Sequence, residues 1–214
     1  MGISNRLNKK FIAIIVLILA VVGGYFIVKK YRIPKPPEQP AVAPTPSMDP
    51  KEAEYQKYLA EAMGYRTAGF QGDKTAFYKA IDSYKKAVEI SEGKVWVPYL
   101  NLGNTYRLVE DYKNAEDSYN KALEITEGES MIYLAKIEMY RYEMKKSNKD
   151  VNALYDEALK RVVDNTNLVI SYAAFLRDTG KYSEALGYYK ILSERYPDNQ
   201  AYKDEIAELE KKIK

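Results

Sequence analysis

The chain has 214 residues, 46% of them hydrophobic, which is room for one or two domains with a real core and excludes wholesale disorder. It contains no cysteine and no histidine, so thiol nucleophiles, disulfides, Cys/His metal sites and imidazole acid–base chemistry are all excluded. The net charge of +3 is lodged at one end: residues 1–50 hold seven of the 33 basic residues and two of the 30 acidic ones, leaving the remainder at a net −2. A nucleic-acid footprint needs basic charge on the folded part, and nucleic acid is set aside as a partner.

In chain order, residues 1–10 form a basic head carrying Arg6, Lys9 and Lys10. Phe11 to Val28 then runs for 18 residues without a charge. At about 1.5 Å per residue this predicts roughly 27 Å of transmembrane helix, against a hydrocarbon core of about 30 Å. A signal peptide has a shorter apolar run, and this one continues past Val22 and Gly24 through Val28, so a retained anchor is favoured over a cleaved leader. Basic residues stand on both sides of the span, and the positive-inside rule nearly cancels. A short basic head kept in the cytoplasm would place the rest of the chain outside it.

Residues 29–50 are a basic, Pro-rich linker. Seven of the nine prolines fall between Pro34 and Pro50, and proline's fixed φ and missing amide donor favour polyproline II there. The 18 residues Ile33 to Pro50, at about 3.1 Å each, make a semi-rigid spacer roughly 50 Å long.

Beyond the linker the chain repeats. Ala80, Tyr84 and Ala87 are matched 35 residues later by Ala115, Tyr119 and Ala122, then 36 further on by Val151, Tyr155 and Ala158, and 34 beyond that by Ala185, Tyr189 and Leu192. Offsets of i, i+4 and i+7 put each triad on one helical face, where small residues let two helices approach and the tyrosine fills the gap beside them. Packing at repeat-core positions, the triads among them, accounts for most of the 21 tyrosines. The second unit also has Tyr99, Leu102, Gly103 and Tyr106 ahead of Tyr112, Ala115, Tyr119, Ala122 and Leu123. The fourth has Gly180 in its turn, Tyr182 and Ala185 after it, and Pro197 at its end. On these residues the stretch from about 52 to 198 resembles the tetratricopeptide repeat family.

The resemblance implies an all-α fold: a right-handed α-solenoid of four helix-turn-helix repeats over 51–198, closed by a capping helix at 199–214 with Ile206, Leu209 and Ile213 as its apolar stripe. The match is uneven. Glu110 stands where the fourth unit has Gly180. In the first and third units Gly64 and Ala135 are each 16 residues ahead of Ala80 and Val151, against 12 for Gly103 to Ala115. The excess predicts longer loops around Gln71-Gly72-Asp73 and Ser147-Asn148-Lys149. Trp96, Met131, Met139 and Met144 read as packing residues.

The family's architecture further implies a concave surface lined by the first helix of each repeat. The residues one and four places past the Gly position are Tyr65, Asn104, Arg107, Lys136, Met139, Ala174 and Arg177. They would form a polar, mildly basic groove suited to an acidic peptide or a C-terminal carboxylate. Leu100 stands where the chaperone-binding members of the family place a clamp lysine, and binding of chaperone tails is not expected. No phosphate loop, nucleophile elbow or metal-ligand spacing appears, so neither enzymatic activity nor a cofactor is expected. The expected role is a membrane-anchored adaptor that mediates protein–protein interactions at the cell envelope. The alternative is a structural subunit or assembly factor of a larger envelope complex, such as secretion or pilus machinery, with self-association as a further option.

Overall fold

The computed structural model describes residues 49–126, 128–162 and 165–214. The basic head, the apolar run at 11–28 and the linker up to residue 48 lie outside the described residues. Among the described ones, no helix is long and apolar enough to cross a membrane and no strand occurs. The first hairpin pairs α1 (Pro50–Phe70) with α2 (Ala76–Ile90), and the second pairs α3 (Trp96–Leu108) with α4 (Tyr112–Ile125). The third pairs α5 (Ser130–Glu138), prolonged by a π-helical turn (Met139–Glu143), with α6 (Asn148–Arg161). The fourth pairs α7 (Thr166–Asp178) with α8 (Tyr182–Arg195), and α9 (Gln200–Ile213) packs on α8. Successive hairpins stack, with α2 against α3, α4 against α5 and α6 against α7.

Local chemistry sets the helix starts. Asp49 accepts a hydrogen bond from the Lys51 amide with Pro50 in the first turn, and Asp111, Ser147, Asn165 and Asn199 accept from amides two or three residues on. Each satisfies an amide that the helix itself leaves free. The hairpin turns share one device. The residue before the closing donor takes positive φ, and the donor bonds back into the last helical turn: Asp73 N to Ala68 O (3.1 Å), Asp111 N to Tyr106 O (3.0 Å), Lys181 N to Leu176 O (2.9 Å). The positive-φ residues are Gly72, Glu110 and Gly180. In the third hairpin Lys145 takes that role, and the Lys146 amide reaches one residue further, to Tyr140 O (2.8 Å), because the turn before it is π-helical.

The core is the row of triads. None of the twelve triad residues is more than 4% exposed. A tyrosine ring buries roughly 150–250 Å², and at about 25 cal/mol per Å² this is on the order of 4 kcal/mol per ring before entropy. Close approach needs the small partner: a Cβ on Gly103 would lie 2.4 Å from Tyr119 Cε1.

Three register expectations are corrected. Gly64 faces open space; α1 packs through Tyr55, Ala62 and Gly69 instead, an i, i+7, i+14 row. In the third hairpin the buried pattern Leu102, Gly103, Thr105 of α3 and Tyr172, Ala173, Phe175 of α7 is matched by Lys136, Ile137, Met139. Ile137, not Ala135, therefore holds the Gly103 place. The extra residues sit partly in the π turn and not in a loop at 147–149, since Asn148 and Lys149 already belong to α6. The longer loop around Gln71-Gly72-Asp73 is present between α1 and α2. Of the predicted fillers, Met139 is buried and Trp96 and Met144 pack partly buried on the core, but Met131 is 51% exposed. In α9, Leu209 is buried and Ile206 partly so, while Ile213 lies beyond the packed stripe and is exposed.

Candidate functional site: the open face of the first helices

The predicted groove cations are already engaged. Arg107 on α3 donates through Nε to Glu143 Oε2 (2.8 Å) and through Nη1 to the Ala135 carbonyl (3.2 Å). Arg177 on α7 donates to Glu205 of α9 (2.5 Å) and pairs with its neighbour Asp178 (3.0 Å). Between them in the chain stands Arg141, which counting from Ala135 does not reach. It donates to Asp178 (3.1 Å), with its guanidinium 4.9 Å from the Tyr142 ring centroid and 5.3 Å from that of Phe175. Arg66 on α1 bonds Asn101 of α3 (3.3 Å) and lies over the Phe70 ring. The four arginines form a ladder, each reaching forward to the next first helix or, for Arg177, to α9. The spacing of Arg107, Arg141 and Arg177 at 34 and 36 residues was the available signal.

The other predicted residues divide. Asn104 is half-buried and accepts a hydrogen bond from the Tyr119 hydroxyl (2.8 Å). Burial pushes that phenol up to about 12. Lys136 is turned away from the open face. It bonds Asn120 (2.8 Å) and lies 3.7 Å from Glu116, both on the second helix of the preceding hairpin. Tyr172, at the corresponding place in α7, reaches back the same way to Asn152 and Asp156 (3.1 and 3.3 Å). Met139 is fully buried and lines no surface. Tyr65 is exposed but leans toward α2, with Lys79 over its ring. Ala174 is half-buried.

What remains in the open is apolar, with an acidic fringe. On α5 and its π turn, Met131, Glu138 and Tyr142 follow at i, i+7 and i+11, and Val97, Asn104 and Leu108 hold the same places on α3. Met63 and Phe70 make the corresponding i, i+7 pair on α1, on the side of the Arg66 bridge. Met63 and Phe70 are 63% and 64% exposed, Met131 and Tyr142 51% and 63%. Arg107 and Arg141 are covered, their side chains 17% and 15% exposed, whereas Glu138 and Asp178 are 62% and 45% exposed; Arg177 is 32% exposed beside Glu205 at 31%. The expected basic groove is thus corrected: Arg107 and Arg177 are paired inside the ladder, Lys136 turns back to the preceding hairpin, and the most exposed charges beside Arg107 and Arg141 are carboxylates.

A separate cavity of about 350 Å³ lies where α1 begins, lined by Tyr55, Ile90 and Glu92 among others. Lys51 and Lys94 each stand 2.5 Å from Glu92 and hold its carboxyl down at about 2. Among the described residues no group of three acidic side chains is placed to hold a metal ion.

Stacked helical hairpins joined by a ladder of side chains define an α-solenoid of short repeats. The family model described as Tetratricopeptide repeat matches residues 97–126, the second hairpin, and with the solenoid fold it supports the tetratricopeptide repeat family for this chain. Two solved structures are similar. The "Crystal structure of MamA protein" is 16% identical, with a TM-score of 0.56, over 76% of this chain and 84% of that one. The "Crystal structure of YrrB: a TPR protein with an unusual peptide-binding site" is 18% identical, with a TM-score of 0.48, over 75% and 82%. No curated protein matches the sequence.

Proposed function

We propose that the solenoid is a docking module that binds a segment of a partner protein along the open face of its first helices, and that it performs no catalysis. The observation that carries this reading is the exposed apolar row from Met63 to Tyr142, on a face whose arginines are already paired. Monomeric proteins seldom leave large apolar side chains in a row without a partner for them, and solenoids present extended surfaces of this kind. The apolar run at 11–28 is proposed as a membrane anchor that holds the solenoid outside the cytoplasm. Confinement raises the effective concentration of a membrane-bound partner, so modest affinity suffices.

A photo-crosslinking residue placed at Asn104 or Met131 is expected to capture partner protein, and one at Ile191, exposed on α8, is not. Equal capture from all three positions would reject the docking face. A single stoichiometric partner insensitive to changes at Asn104 and Tyr142 would instead make the protein a structural subunit. A reporter fused after Lys214 tests the anchor's orientation, and a cytoplasmic signal would reverse it.

A further inference from the structure

Resting on the docking reading, we infer that the open face selects a segment with apolar side chains and basic flanks, and disfavours an acidic segment or a carboxylate tail. Two observations carry this independently of each other. The first is the apolar row itself, in which Met63 and Phe70 on α1 and Met131 and Tyr142 in the third hairpin are each more than half exposed. Unbranched methionines beside aromatic rings adapt to varied apolar partners.

The second is the sign of the charge that a ligand would meet. On α3 and on the third hairpin's first helix, the arginine is drawn down into the inter-repeat seam by an acid, and Arg177 on α7 is paired with Asp178 and Glu205. Arg107 is held by Glu143, with Glu138 at 3.6 Å; Arg141 is held by Asp178. The guanidinium of Arg141 is further occupied by the faces of Tyr142 and Phe175. Glu138 and Asp178 keep 62% and 45% of their side chains in solvent against 17% and 15% for Arg107 and Arg141. An incoming carboxylate would have to displace a paired acid to reach a guanidinium. An incoming lysine or arginine finds an exposed oxygen at once.

The test uses the full chain in neutral-lipid nanodiscs, empty nanodiscs as the blank, and three labelled 18-residue synthetic helices of Leu/Lys, Leu/Glu and Ser/Lys composition. Fluorescence anisotropy is expected to give the Leu/Lys peptide at least about ten-fold tighter binding than either of the others. The exposed double variant Met131→Ser/Tyr142→Ser is expected to weaken the Leu/Lys peptide by about ten-fold, and Ile191→Ser to leave it unchanged. Circular dichroism checks that each variant is folded. A Leu/Glu peptide that binds as tightly, with the same sensitivity to the double variant, overturns the charge preference and leaves the docking face intact. Peptide binding that ignores the double variant overturns the docking face itself. Concentration-dependent self-association that the double variant abolishes, with the Leu/Lys peptide unable to compete, makes a second copy of the chain the occupant and overturns the inference.

Discussion

Glu110 and Gly180 occupy the same turn place with the same closing hydrogen bonds, but only glycine adopts φ of +59° to +80° without strain from a Cβ. Glu110→Gly is therefore expected to raise stability by about 0.5–1 kcal/mol, the relief of αL strain less the entropy a glycine loses on folding. The midpoint of urea unfolding reads this directly. Two buried tyrosines offer a matched contrast. The Tyr119 hydroxyl donates to Asn104, whereas the Tyr84 hydroxyl is buried with no hydrogen-bond partner among the described residues. Tyr119→Phe should cost about 1 kcal/mol, while Tyr84→Phe should be neutral or slightly stabilising, because it removes an unsatisfied group and keeps the ring. Equal losses for the two, measured by the same unfolding assay, would contradict this account.

At the scale of helices, the second helices were legible in the sequence and the first helices only partly so. The triads Ala80–Tyr84–Ala87 and their three copies repeat because small residues and a ring must recur wherever two helices touch closely. The first helices obey a looser rule. Gly103 and Ala173 mark the contact in two of them, but in the third the place is held by Ile137, and the extra length follows it, partly in the π turn. A search for a small residue stops at Ala135, two places short of Ile137, and so puts Lys136 and Met139 on the open face and passes over Arg141. The acids were missed for another reason. Glu143, Asp178 and Glu205 meet their arginines 36, 37 and 28 residues away, and such pairing is invisible to a reading along one helix. The Arg107–Glu143 pair is bidentate and partly buried. Arg107→Lys keeps the charge but loses the fork, and is expected to cost about 1–2 kcal/mol, discounted for solvent on Glu143. A calorimetric melting curve would show it, and an unchanged curve would mean that the pair is only decorative.

For the molecule as a whole, buried phenols set the response to alkali. Burial holds Tyr119 at about 12, and burial with the neighbouring Glu157 carboxylate does the same for Tyr133. A phenol whose folded pKa is raised stabilises the fold fully below its unfolded value, near 10, and that contribution fades as pH rises through the folded value. Stability should therefore fall steeply between about pH 10 and pH 12. Tyrosinate absorbance is expected to rise in two stages, the later one from the buried set, Tyr119 and Tyr133 among them, together with the loss of helical circular dichroism. With no histidine in the chain, no comparable transition is expected near neutrality. A single-stage titration with the helix intact would refute the buried-phenol account.

The arginine ladder gives the solenoid an unequal dependence on its two ends. Each guanidinium of the ladder reaches the unit that follows it, so trimming at the front removes a donor and leaves behind only a neutral amide, Asn101. Trimming at the rear, by deleting 199–214, takes Glu205 away from Arg177 and bares Leu192 and Tyr189 to solvent. Such a shortened chain should unfold at a clearly lower urea midpoint than the intact one, with Arg177 left on its pair with Asp178 alone.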